Sequence, residues 1–182
     1  DAEGLAQAAS QTMLQGAAAL QYGATEGQPA LREALAQQAR DRGMQAQAAD
    51  VVVTTGSQQA FDLVVRVLIE SGDTVLVEVP AYPAALQALR LAQANIVAVP
   101  MDGDGLQTEA LAQLLAALPA AQRPKLLYTV PNFSNPRGSL LTTERRQQLA
   151  QLALQYGFWV VEDDPYGELR FDGEDGQPLP LP

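Results

Sequence analysis

Short apolar strand-like segments alternate with longer helix-like ones along most of this chain, and that alternation limits the folds open to it. Val51–Thr54, Thr74–Val79, Asn95–Val99, Lys125–Val130 and Phe158–Glu162 read as strands. Gly4–Leu20, Gln28–Arg42, Gln58–Glu70, Pro83–Ala92, Thr108–Leu118 and Thr142–Tyr156 read as helices between and before them. The strands are apolar on consecutive residues rather than on every second one, so both of their faces need cover. Strand–helix alternation with doubly covered strands predicts an α/β fold: three layers, α/β/α, around a mainly parallel sheet. Local chemistry marks the boundaries. Gly43 stops the second helix, Ser57 and either Thr142 or Thr143 are suited to cap helix N-termini, and Asp102-Gly103-Asp104-Gly105 is a turn.

Composition removes several chemistries. The 182 residues include no cysteine and no histidine, which leaves this chain without disulfides, thiolate nucleophiles, a Ser-His-Asp triad or the usual zinc ligands. The net charge of -10 argues against nucleic acid as a partner. No apolar run has the length of a membrane span and no signal peptide is legible, so a cytoplasmic, membrane-free protein is expected. Acidic residues gather near the end. The stretch Asp172–Asp175 reads as a solvated loop, and 173–182 as a linker rich in proline.

In open α/β sheets, ligands bind beyond the carboxyl ends of the strands. Four segments there carry chemistry. Gly56-Ser57-Gln58 opens a helix, where backbone N–H groups and the helix dipole favour an anion. Pro80-Ala81-Tyr82 offers an aromatic ring, Asn132–Gly138 an amide, and Asp163-Asp164-Pro165-Tyr166 a carboxylate and a phenol. The set suits a flat, phosphorylated, cationic aromatic ligand.

These motifs occur in a telling order: Tyr22-Gly23 with Gly27 and Leu31-Arg32, Thr54–Ala60, Pro80-Ala81-Tyr82, Asn135-Pro136-Arg137-Gly138, and Glu162–Gly167. In order and spacing they resemble the fold-type-I aminotransferases that depend on pyridoxal 5′-phosphate, nearest the 2-aminoadipate and kynurenine aminotransferase-like branch. The resemblance implies transfer of an amino group between an amino acid and a 2-oxo acid. It implies that Gly56, Ser57 and Gln58 receive the cofactor phosphate and that Tyr82 stacks on its ring. Asn135 and Tyr166 would share its phenolic oxygen. Asp163, spaced Asp-x-x-Tyr from Tyr166, would pair with the protonated ring nitrogen, while Asp164 points elsewhere. Tyr22 would reach the phosphate of a second subunit, so a homodimer with composite sites is expected. Arg32 reads as a structural residue.

On this reading 1–25 is a helical, dimer-contacting segment, 26–172 part of the large cofactor domain, and 173–182 a linker. The sequence departs from the family in three places. Arg137 and Ser134 replace the threonine and glutamine of many relatives. The single lysine, Lys125, sits at the wrong end of its strand to hold the cofactor, so that lysine is expected past position 182 and no catalytic residue is assigned within the chain. A winged-helix regulator with an aminotransferase-like sensing domain, a lyase or decarboxylase on the same scaffold, and a cofactor-free α/β domain are the alternatives. Pro165-Tyr166-Gly167 after the paired aspartates speaks against the regulator.

Overall fold

The computed structural model describes residues 1–169. The acidic stretch and the linker read at 172–182 lie outside them. The chain divides into two compact units, Asp1–Thr55 and Gly56–Pro182.

The first unit is helical. Helix α1 (Ala2–Met13) is capped by the Asp1 carboxylate, which accepts from the Gly4 N–H at 3.0 Å. The single helix expected over Gly4–Leu20 is broken instead: α1 ends at Met13, Gly16 takes a φ of 63°, and a separate 3-10 helix runs Gly16–Leu20. Glycine enters that left-handed region without the Cβ penalty, which lets the chain change course between the two helices. Helix α2 (Pro29–Asp41) carries proline in its first turn, where no intrahelical donor is lost. The strand expected at Val51–Thr54 is absent. Its backbone groups find single partners, the Val53 N–H donating to Glu26 O at 2.8 Å and Val51 O accepting from Arg32 Nε at 2.8 Å. β-branched residues favour extended backbone, but a strand also needs a neighbouring ladder. Arg32 thereby has the structural job read from the sequence.

The second unit is the α/β body. It comprises α3 (Ser57–Leu68), β1 (Thr74–Val79), α4 (Pro83–Leu91), β2 (Asn95–Asp102), β3 (Gly105–Leu106), α5 (Thr108–Ala117), β4 (Leu126–Thr129), α6 (Thr143–Tyr156) and β5 (Trp159–Glu162). The strand order is β3-β2-β1-β4-β5. Pairings β1–β2, β1–β4 and β4–β5 are parallel, and the short β3 runs antiparallel to β2 through the predicted turn. Strand periodicity divides the core into two layers. Val75 and Val77 of β1 and Leu126 and Tyr128 of β4 face α3 and α4, meeting Phe61, Val65 and Leu89. Leu76 and Leu127, one residue out of phase, face α5 and α6 and meet Leu111, Leu115 and Leu149. This is the three-layer mixed sheet expected.

Two details fix the helices. Thr142 caps α6, its hydroxyl accepting from the Arg145 N–H, and Gly157 ends that helix at a φ of 74°. Arg145 then clamps the β2–β3 turn through Asp102, with Nη1–Oδ1 at 2.6 Å and Nη2–Oδ2 at 2.8 Å. That guanidinium holds the Asp102 carboxyl down at about 2.

Candidate active site

Parallel strands β1, β4 and β5 all deliver their carboxyl ends to one edge, and α3 starts at the same edge. Gly56, at a φ of 153°, is the residue preceding α3, and Ser57 is its first helical residue rather than its cap. Gly56 has no side chain to cap the helix, and the first turn carries no acidic residue. The N-terminal end of α3 is thus positive by its dipole, and no carboxylate in its own first turn offsets it.

A cleft of about 210 Å³ opens at this edge, lined by Ser57, Tyr82, Asn135, Asp163 and Tyr166, with Val130 and Pro165 between them. Five of the eight residues singled out in the sequence therefore share one cavity. Each comes from a different segment or the far end of one. Ser57 opens α3, Tyr82 precedes α4, Asn135 lies in the β4–α6 loop, and Asp163 and Tyr166 follow β5. Gly56 and Gln58 do not line it. The Gln58 amide donates instead to Ala84 O at 3.4 Å, tying α3 to α4. Tyr22 belongs to the first unit and is fully exposed, at 102%. Lys125 lies at the opposite end of β4, where its backbone N–H donates to Thr74 O.

Asp163 and Asp164 are separated as the spacing suggested. The Asp163 N–H extends the β4–β5 ladder by donating to Thr129 O at 2.9 Å, which turns this residue toward the cleft. Asp164 turns to the loop, its Oδ1 accepting from Asn132 Nδ2 at 2.8 Å and from the Gly167 N–H at 2.9 Å. Asn132 in turn accepts from Arg146 at 2.6 Å. The loop that presents Asn135 is further closed by the Ser134–Ser139 hydroxyl pair at 2.7 Å.

Sequence reading missed three of these groups. Tyr128, 1% exposed, donates its phenol to Asp163 Oδ2 at 2.8 Å. Burial, and then that hydrogen bond to a carboxylate, push the Tyr128 phenol far above its usual range. Glu78, 2% exposed, accepts from the Val130 N–H at 2.8 Å and from Thr129 Oγ1 at 2.6 Å, and so ties the end of β1 to the end of β4. Asn132 joins Asp164 to Arg146. One signal was available: a glutamate inside the otherwise apolar run Thr74–Val79 requires buried partners.

Burial raises the Glu78 carboxyl above 4.5, outweighing the two donors that favour its charged form. A raised folded value means a contribution to stability that is complete below the unfolded value and is lost as pH rises through the folded one. Glu78→Gln keeps an acceptor for Val130 and carries no titrating group. The variant is expected to gain in urea midpoint relative to the parent as pH rises above the ordinary glutamate range. Midpoints that stay parallel across that rise would show the Glu78 ionisation to be unlinked to folding.

An α/β body whose strand-end loops converge on an anion-suited helix start, an aromatic ring, an amide and a carboxylate is built to hold a ligand of mixed charge. The comparisons agree on which class. The family model for aminotransferase class I and II matches residues 2–180. An aromatic-amino-acid aminotransferase of Thermococcus litoralis is 44% identical over 165 residues, which cover 90% of this chain and 40% of that protein. The kynurenine aminotransferase structure from Pyrococcus horikoshii superposes with a TM-score of 0.82 at 41% identity, covering 91% of this chain and 42% of that one. The α-aminoadipate aminotransferase from Thermus thermophilus, solved with a phosphopyridoxyl-leucine, gives 0.81 at 39% identity, over 97% and 42%. The chain belongs to the class I and II aminotransferase family. It spans about two fifths of the length of these relatives.

Proposed function

We propose that this chain is the cofactor-binding part of an enzyme that moves an amino group from an amino acid to a 2-oxo acid, using pyridoxal 5′-phosphate. The observation that carries the reading is the shared cleft of Ser57, Tyr82, Asn135, Asp163 and Tyr166. Its donor set fits the cofactor group by group. Ser57 at the start of α3 meets a phosphate, with Gly56 allowing close backbone approach and Gln58 flanking it. Tyr82 offers a face to the ring. Asn135 and Tyr166 supply an amide and a phenol for the ring's hydroxyl oxygen. Asp163 supplies a carboxylate that holds a proton at the ring nitrogen.

When bound, the cofactor supplies an electron-withdrawing ring that stabilises negative charge developing at the substrate Cα. The chain's own residues fix that ring on three sides and keep its nitrogen charged. The lysine that anchors the cofactor in such enzymes falls outside this chain's motifs, since Lys125 sits at the far end of β4. The exposure of Tyr22 supports a role on a second copy of the chain, reaching that copy's phosphate, and with it a homodimer. Among the described residues no helix is long and apolar enough to cross a membrane, and a cytoplasmic location is part of the same reading. The regulator alternative is not favoured, because the relatives found are named as aminotransferases.

The test is product analysis on the full-length polypeptide, loaded with pyridoxal 5′-phosphate and given 2-aminoadipate or kynurenine with 2-oxoglutarate. Glutamate formed in step with loss of the donor is the expected result. Carbon dioxide or ammonia released without glutamate would assign the scaffold to a decarboxylase or lyase.

A further inference from the structure

Behind the cleft, the group that contacts Asp163 is neither solvent-facing nor part of the cavity lining. Tyr128 points its phenol at Asp163 Oδ2 from inside the sheet, and its ring is buried against Phe61, with centroids 4.7 Å apart and planes inclined by 56°. Phe61 is on α3, four residues after Ser57, so it lies one helical turn below the residue that opens the anion-suited helix end. The two neighbours of Tyr128 on β4 are equally fixed. Leu127 is buried on the opposite face, and Thr129 is bonded to Glu78. A single aromatic pair thus joins the start of α3 to the carboxylate at the end of β5.

We propose that Tyr128 is the positioning residue for Asp163: its hydroxyl holds one carboxylate oxygen so that the other is presented to the ring nitrogen of the bound cofactor, at a distance from the phosphate end set by the Phe61–Tyr128 contact. This rests on the cofactor reading given above. A carboxylate on a short side chain after a strand end can rotate about two bonds, and a buried donor removes that freedom for one oxygen. The donor is a phenol whose O–H stays protonated in this setting, so it supplies a permanent hydrogen and no competing charge. A neutral donor adds no positive charge beside the Asp163 carboxylate. A charged donor in the same place would neutralise it.

The test uses the full-length polypeptide and pyridoxamine 5′-phosphate labelled with nitrogen-15 in the ring, a probe that binds without the anchoring lysine. The ring-nitrogen signal is followed against pH in the parent, in Tyr128→Phe, in Asp163→Asn and in the double variant. Phenylalanine keeps the ring and its stacking on Phe61 and removes only the donor. The expected result is a protonation midpoint lowered by about one pH unit in Tyr128→Phe, the scale of one hydrogen bond to a charged group. In the Asp163→Asn background the second change is expected to move nothing, because the two residues act as one. A midpoint in Tyr128→Phe that is unchanged or raised overturns the proposal. So does an equal drop in both backgrounds, which would make Tyr128 a packing residue only. A parent protein whose bound ring titrates like the free compound is a different failure: it removes the Asp163 pairing itself, and the role of Tyr128 with it.

Discussion

Asp163→Asn is expected to lower kcat of the full-length enzyme by on the order of a hundred- to a thousand-fold, the scale seen when one preorganised electrostatic group is removed. The substitution is nearly isosteric. An asparagine oxygen still accepts from Tyr128, which reaches the present carboxylate at 2.8 Å, and the backbone bond to Thr129 O is untouched. Shape and fold are retained, and the negative charge is lost. On the function proposed above, that charge opposes loss of the ring-nitrogen proton, because deprotonation would remove the cation that pairs with the carboxylate. A neutral ring withdraws electrons from the substrate Cα less strongly, so the barrier to breaking the bond there rises. Because the group acts on charge that develops during reaction, the effect belongs in kcat, with KM changing far less. Steady-state kinetics at saturating donor checks this. A kcat within about threefold of the parent would remove Asp163 from the site. Asp164 is no substitute for it, since its Oδ1 is committed to Asn132 and the Gly167 N–H.

The parts of this molecule that were legible in the sequence are those in which local pattern and tertiary need coincide. Strands β1 and β4 are apolar because helices cover both faces, and their consecutive apolar residues say so directly. The turn at 102–105 and the threonine cap of α6 follow from single residues with known backbone preferences. Asp163 and Tyr166 were singled out through the family resemblance, by their Asp-x-x-Tyr spacing after a strand end, and both line the cleft. What was not legible depends on which strand lies beside which. Val51–Val53 has strand-like residues, but no ladder forms on it, and nothing local distinguishes it from β1. Tyr128 reads as one more apolar position on β4. Its importance arises only when β5 docks alongside in the register Tyr128↔Val161, which brings Asp163 within reach of the phenol two residues further on. Glu78 likewise gains its partners from β4, 51 and 52 residues away in sequence.

Leu127→Ala tests whether that register is held by the sheet's far face. Leu127 is 0% exposed at the centre of β4, paired with Leu76 of β1 on one side and Val160 of β5 on the other. Its side chain enters the layer formed with α5 and α6, on the opposite face from Tyr128. Removing it deletes buried carbon and leaves a cavity between β1, β5 and the helices, a loss of about 2–5 kcal/mol for a well-packed leucine. Leu154, 85% exposed on α6, loses no such packing, and Leu154→Ala is expected to stay within about 0.5 kcal/mol of the parent. Urea unfolding of the two full-length variants side by side measures the contrast. The site is expected to suffer as well, because β4 leads through Val130 into the loop that carries Asn135, while Asp163 directly follows β5. If β4 shifts toward the vacated volume, the phenol of Tyr128 withdraws from Asp163, and affinity for pyridoxamine 5′-phosphate falls even where the protein remains folded. Equal midpoints for the two leucine variants would mean that the α5–α6 layer contributes little to holding the sheet. The geometry of the cleft would then depend on the α3–α4 layer alone, where Phe61 and Tyr128 meet.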